Sequence, residues 1–191
     1  MLAPPANSSL DLPLLVPATA ERPPSGLEQE VTQLFDELRN PVLRYLLRLG
    51  LPAPDGDEIV QEVFLALFQH LRQRKPKSNL RGWVFRVAHN LGLKKRYSDG
   101  SRRTTGPVDG QGAADFQVDP APNPEELMAG RQRQQRLLAV VRALPEQDRC
   151  CLHLRAEGLR YREIAQVLGI SLGAVSVSLQ RSLARLVRAD R

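Results

Sequence analysis

The sequence predicts an all-α protein built as two small helical domains joined by a flexible linker. Apolar residues recur at three- and four-residue spacing through two blocks, 27–97 and 124–191. No stretch shows the period-two alternation of a half-buried strand. Between the blocks, residues 98–123 are rich in Gly, Pro and Asp and hold almost nothing to bury, as a linker does. A length of 191 residues suits two such domains.

Ahead of the first block, residues 1–26 are rich in proline, and an extended, disordered tail without a core is expected there. The first helix follows from Leu27, Val31, Leu34, Leu38, Val42, Tyr45 and Leu49, one apolar face. Pro41 lies inside it, so a break or kink is expected near Asn40. Leu51-Pro-Ala-Pro is a turn. Asp55 then reads as the N-cap of a second helix, with Glu58 completing a capping box. Its buried stripe is Ile59, Val60, Val63, Phe64, Leu67, Phe68 and Leu71. A basic loop, Arg72 to Ser78, leads to a third helix beginning near Asn79, which buries Leu80, Val84, Val87, Ala88 and Leu91. It ends in Lys94-Lys95-Arg96, cations that suit a helix C-terminus. Helices are expected again at about 124–143, 146–157, 161–168 and 172–188. The first of these is opened by Asn123-Pro124-Glu125-Glu126, an N-cap, a first-position proline and first-turn acids.

The net charge of +6 is unevenly spread. Residues 28–97 carry +4 and residues 124–191 carry +5, whereas the linker carries −2 and residues 1–27 carry −1. Two basic blocks on an acidic strap fit a nucleic-acid partner, because neutralised phosphates release counterions. No run approaches the ~18 apolar residues of a membrane span, so no membrane insertion is expected. The N-terminus has no basic residue before Arg22, and Pro4, Pro5, Pro13 and Pro17 interrupt its apolar runs, unlike a secretory signal. A soluble, cytoplasmic protein is expected. Cys150 and Cys151 are adjacent, poorly placed for a staple or a metal site, and read as structural. His70, His89 and His153 lack metal-ligand spacing, and neither a phosphate loop nor a nucleophile elbow appears. No metal, no cofactor and no enzymatic chemistry are therefore expected.

The most informative stretch is Gly158-Leu-Arg-Tyr-Arg-Glu-Ile-Ala-Gln-Val-Leu-Gly-Ile-Ser-Leu-Gly-Ala-Val. Two short helices meeting at a steep angle need a small residue where they approach, and Ala165 supplies it. Their turn needs a positive φ, which Gly169 supplies. Ser171 is a good N-cap for the following helix. Ile164, Leu168, Ile170, Val175 and Leu179 would fill the core between them. The pattern is a helix-turn-helix with residues 172–188 as recognition helix. Leu172, Gly173, Ser176, Gln180 and Arg181 lie on its outer face, within reach of base edges or phosphates, while Arg185 and Arg188 suit the backbone.

At this point the chain resembles a known family, the bacterial sigma-70 factors, and within it the extracytoplasmic-function (ECF) group. Leu144-Pro145, Arg149, Gly158-Leu159, Tyr161, Glu163-Ile164-Ala165 and Leu168-Gly169-Ile170-Ser171 look like region four, which binds the minus-thirty-five promoter element. Asp57-Glu58-Ile59-Val60-Gln61-Glu62-Val63-Phe64 looks like the region-two segment that binds the clamp helices of the polymerase β′ subunit. Arg81-Gly82-Trp83-Val84-Phe85-Arg86-Val87-Ala88-His89-Asn90 looks like the helix that melts and reads the minus-ten element.

The resemblance implies a promoter-specificity subunit of core RNA polymerase, with promoter DNA as its second partner. Residues 27–97 would be the region-two domain and 124–191 the region-four domain, docking on the β flap. Asp57, Glu58, Gln61 and Glu62 would bind polymerase. Lys75, Lys77, Asn79, Trp83, Arg86, Asn90, Lys94 and Lys95 would serve the minus-ten element, Trp83 chiefly as an anchor and Asn90 near a flipped base. Cations beside single-stranded DNA make electrostatic sense, and the extruded base must be compensated by stacking and edge hydrogen bonds. Arg160, Ser171, Leu172, Gly173, Ser176, Gln180, Arg181 and Arg185 would serve the minus-thirty-five element. The acidic linker, with Asp109, Asp115 and Asp119, would imitate nucleic acid along the template-strand path. Members often have an inhibitory anti-sigma factor, which no residue here identifies.

The chain departs from the family pattern in three places. Arg160 stands where Ser or Thr usually caps the scaffold helix, a loss of about 1 kcal/mol. Ala174-Val175-Ser176-Val177-Ser178 replaces a commoner Thr-Val-Lys-Ser-Arg and removes two cations. Lys94 stands where Asp is common. The alternative reading is a stand-alone helix-turn-helix regulator that binds duplex DNA without polymerase.

Overall fold

A computed structural model describes residues 26–100 and 124–190, and these residues form seven helices with no strand. The expected N-terminal tail, up to Ser25, and linker residues 101–123 lie outside the described residues. The first unit comprises α1 (Gly26–Arg48), α2 (Ala53–Arg72) and α3 (Leu80–Gly100). The second comprises α4 (Pro124–Arg142), α5 (Glu146–Ala156), α6 (Tyr161–Leu168) and α7 (Leu172–Ala189).

The expected break at Pro41 does not occur, and α1 runs through it. An interior proline costs a helix about 3 kcal/mol through its missing donor and ring clash. Burial on both sides offsets that cost: Leu38, Val42, Tyr45 and Leu46 are completely buried against α2 and α3. Tyr45 meets Phe85 edge-on at 5.9 Å, and Phe35 meets Phe64 at 4.9 Å in the same manner.

The start of α2 also differs from expectation. Pro52 occupies the cap position, and Asp55 sits in the first turn rather than capping it. The Pro52 carbonyl already accepts from Gly56 N at 2.9 Å, so the helix opens earlier than a capping box at 55–58 would place it. The carboxylates of Asp55 and Glu58 instead face Lys95 Nζ on α3, at 3.5 and 3.0 Å. Ile59, Val60, Val63, Phe64, Leu67 and Leu71 are buried, as their spacing requires, and Phe68 is half-buried.

In the second unit α5 packs on α7, α4 lies along α7, and α6 bridges α5 and α7. Its core is Leu154, Leu159, Ile164, Val167, Val175 and Leu179, with Cys151 among them. Both cysteines are free thiols in buried positions. Burial pushes Cys151 up to about 11, so it behaves as a small apolar side chain.

The two units are in contact. Helix α3 lies on α6 and α1 touches α5, and a single apolar cluster runs from Tyr45 and Phe85 to Leu154 and Leu159. Among the described residues no single helix is long and apolar enough to cross a membrane.

Candidate nucleic-acid interface

The turn between α6 and α7 is built as its sequence dictates. Gly169 takes φ +66°, a left-handed conformation in which a side chain would be strained. Ser171 Oγ accepts from Ala174 N at 3.1 Å, capping α7. The axes of α6 and α7 turn by 106°, within the range of a helix-turn-helix. At the start of α6 the side chain of Arg160 makes no cap. The missing acceptor is partly replaced, because the Glu163 carboxylate accepts from Arg160 N at 2.6 Å. The guanidinium of Arg160 is left in an exposed position.

Along α7, Leu172, Gly173, Gln180 and Arg185 are exposed, and Ser176 is half-buried. Arg181 is also exposed, and it carries an ion pair that the sequence did not reveal. Its Nε and Nη2 donate to the two carboxylate oxygens of Asp148 on α5, at 2.8 and 2.7 Å. The Asp148 side chain is 1% exposed. Burial alone would raise that carboxyl, but hydrogen bonds from Arg181 and Ser178 and the charges of Arg181 and Arg185 outweigh it and hold it below its ordinary value. This bidentate pair ties α7 to α5.

In the first unit the loop before α3 is sharply organised. Asn79 takes φ +58°, and its Oδ1 accepts from Gly82 N at 3.0 Å, so it caps α3. Gly82 is required by contact, since a Cβ there would lie 2.4 Å from Asn79 Nδ2. Trp83 is half-buried and its ring lies 4.7 Å from His70. Arg86, Asn90 and Lys94 are exposed along α3, and Lys75 is exposed in the loop. Lys77 pairs with Glu30 of α1, and Lys95 with Asp55 and Glu58, so these two cations are partly occupied. On α2, Glu58, Gln61 and Glu62 are exposed and Asp57 is half-buried, facing away from the apolar stripe; Leu65 beside them is 59% exposed.

Several residues that matter were missed in the sequence. Glu157 sits at the C-terminal end of α5, where the helix dipole disfavours an acid. Its carboxylate accepts from Arg44 Nη2 at 2.7 Å and from Arg48 Nη1 at 2.9 Å, both on α1. Tyr45 and His89 share a buried hydrogen bond of 2.7 Å beside Cys150, and Glu146 pairs with Arg96 at 2.6 Å. The acid at the wrong helix end, and Arg44 and Arg48 one turn apart, were the available signals.

The geometry defines a class: a two-unit helical protein with a helix-turn-helix and a second, polar-faced bundle. No group of three or more metal-ligating side chains occurs among the described residues. Comparison with known proteins goes further. The model of sigma-70 region 2 matches residues 34–102, and that of sigma-70 region 4 matches residues 134–186. The ECF RNA polymerase sigma-E factor of Escherichia coli strain K12 is 29% identical over 136 residues, covering 69% of this chain and 71% of its own. The probable RNA polymerase sigma factor RfaY of Xanthomonas campestris is 28% identical over 165 residues, 84% of this chain but 40% of that protein. Among solved structures, RpoE of Bartonella quintana, crystallised with the anti-sigma factor NepR, superposes with TM-score 0.59 at 18% identity, covering 84% of this chain and 96% of that one. CnrH, solved with the cytosolic domain of CnrY, gives 0.57 at 24%, covering 85% and 88%. The chain belongs to the sigma-70 family, in its ECF group, and is an RNA polymerase sigma factor.

Proposed function

We propose that the three α2 residues Glu58, Gln61 and Glu62 bind the polymerase clamp, while α3 and its preceding loop read and open the minus-ten element. In this reading α7 enters the major groove of the minus-thirty-five element through Leu172, Gly173, Ser176 and Gln180, with Arg160 and Arg185 on phosphates. Arg181 serves as a positioning residue through Asp148. The observation that carries the reading is the solvent-facing row Arg86, Asn90 and Lys94 on a helix whose opposite side is buried, in a unit that also presents an exposed polar α2 face. Like other sigma factors the chain is regulatory rather than catalytic, and its place of action is the cytoplasm, where polymerase and promoter are. An anti-sigma partner belongs to the same reading, supported by the fold shared with RpoE, which was solved with one.

The test separates the surfaces. Glu58, Gln61 and Glu62 replaced together by Ala should abolish capture of core polymerase and leave duplex binding intact. Asn90→Ala should spare capture and reduce opening of the minus-ten region, read by permanganate reactivity of its thymines. Retention of both activities in the two variants would overturn the residue assignment.

A further inference from the structure

The segment between α2 and α3 is exposed and cationic, yet its backbone is held at both ends and in the middle. Residues 72–79 are all exposed, Arg72, Arg74, Lys75 and Lys77 among them. Arg74 takes φ +52° and Asn79 φ +58°, left-handed conformations in which glycine is usual. At the first, Arg74 N donates to Leu71 O at 3.0 Å and Lys75 N to His70 O at 3.3 Å, the two bonds of a Schellman closure of α2. At the second, Asn79 Oδ1 accepts from Gly82 N at 3.0 Å. Between them Lys77 pairs with Glu30 of α1. Side chains forced into this region of backbone space persist only where their surroundings over-determine them, and such positions gather at ligand clamps.

His70 joins these restraints. It is half-buried in the last turn of α2. Its backbone carbonyl accepts from Lys75, and its ring Nε2 lies 3.0 Å from the carbonyl oxygen of Pro76, the next residue along. A carbonyl only accepts, so Nε2 carries the proton and donates. The same ring stands 4.7 Å from the ring of Trp83 on α3, tilted by 41°. One side chain thus ties the middle of the loop to both flanking helices. Any residue would supply the backbone carbonyl, but the bond to Pro76 needs this side chain. Pro76 has no N–H, so its carbonyl is the one backbone group it offers for holding. Without that bond the loop would have to be ordered as it meets DNA, and the conformational cost would be taken from binding.

We propose that His70 is a positioning residue for the minus-ten element: through Pro76 it holds the cationic loop in the shape that receives the exposed strand, and so sets both the ease of opening and the base preference. The proposal rests on the functional reading above, in which α3 and its preceding loop read and open that element. His70 itself acts through the loop and not by touching DNA.

The experiment uses core polymerase with the full chain, on a promoter fragment that gives a discrete run-off transcript with wild type. His70→Phe keeps a ring against Trp83 and removes the donor. His70→Gln keeps an N–H donor at comparable reach and removes the ring. Asn90→Ala is the control for the underlying reading. Polymerase capture and circular dichroism report folding, and permanganate reactivity of the minus-ten thymines reports opening. A set of fragments with each minus-ten position changed in turn reports base preference. His70→Phe should fold and be captured like wild type but open about fivefold less, the worth of one neutral hydrogen bond, and discriminate less between fragments. His70→Gln should open and discriminate nearly as wild type does. A His70→Phe variant indistinguishable from wild type, or a His70→Gln variant impaired to the same degree as His70→Phe, would overturn the positioning role. Impaired opening in His70→Phe beside normal opening in Asn90→Ala would uphold the loop's role and overturn the assignment of Asn90 on α3. The reverse pattern would overturn the role of His70 and leave that assignment standing.

Discussion

Replacing Arg181 by Ala separates a structural arginine from a DNA-reading one. The guanidinium makes two charge-assisted hydrogen bonds to a carboxylate that is almost fully buried. Removing one partner of a buried pair costs about 3–5 kcal/mol, because the remaining charge is left without its counterpart. The Arg181 side chain is 48% exposed, so solvent screens part of the interaction and the expected loss falls to about 2–3 kcal/mol. Asp148→Ala should cost less, about 1 kcal/mol, since the freed guanidinium turns to water. The double variant should then cost little more than Asp148→Ala, a coupling of roughly 2 kcal/mol. Asp148 is held below its ordinary value in the fold, so its stabilisation is present above the usual carboxylate range and fades as pH falls through it; the penalty of Arg181→Ala should shrink below about pH 4. Urea unfolding followed by circular dichroism at pH 7 and pH 3.5 measures all of this. A stability loss under about 0.5 kcal/mol for Arg181→Ala, additive with Asp148→Ala and accompanied by lost duplex affinity, would refute the reasoning.

The other predictions follow from single contacts. Ser171→Ala removes the cap of α7 and should cost about 1 kcal/mol in urea unfolding, whereas Ser171→Asn should restore most of it. Gly82→Ala places a Cβ against Asn79, so minus-ten opening should fall even though helix propensity at that site improves, as read by permanganate footprinting. Pro41→Ala restores a donor inside α1 and should raise the unfolding midpoint, by up to about 3 kcal/mol of stability. Burial, with Arg48 and Arg149 nearby, pushes His153 down to about 4, and burial also lowers His89. Both must charge when unfolded, so stability should be full above about pH 6.5 and decline on acidification towards pH 4, a trend that thermal melts at pH 7, 6 and 5 can follow.

How much of this was written in the sequence depends on the range of the interaction. Apolar spacing placed all seven helices, because each buries one stripe and the stripe is local. The helix-turn-helix was equally legible, since Gly169, Ser171 and Ile164 act within a few residues of one another. Pro41 and Asp55 misled for the opposite reason. Their local preferences, a break and a cap, were overridden by burial of Leu38 and Val42 and by the Lys95 bridge from another helix. The bridge from Arg181 went unforeseen because its partner, Asp148, also satisfies a first-turn rule and so raised no question. The contact between the units lay beyond any local pattern. Glu157 is 109 residues from Arg48 in sequence, and only its unfavourable place at a helix C-terminus hinted at a distant partner.

The central claim is that this chain gives core RNA polymerase its promoter. Run-off transcription on a library of genomic promoter fragments, with core polymerase and the purified full chain, tests it most directly. The account predicts discrete transcripts that vanish when the chain is omitted, with start sites that align on shared minus-ten and minus-thirty-five sequences. No capture of polymerase and no transcripts, together with tight binding of the chain alone to a palindromic duplex, would contradict it and establish a free-standing regulator.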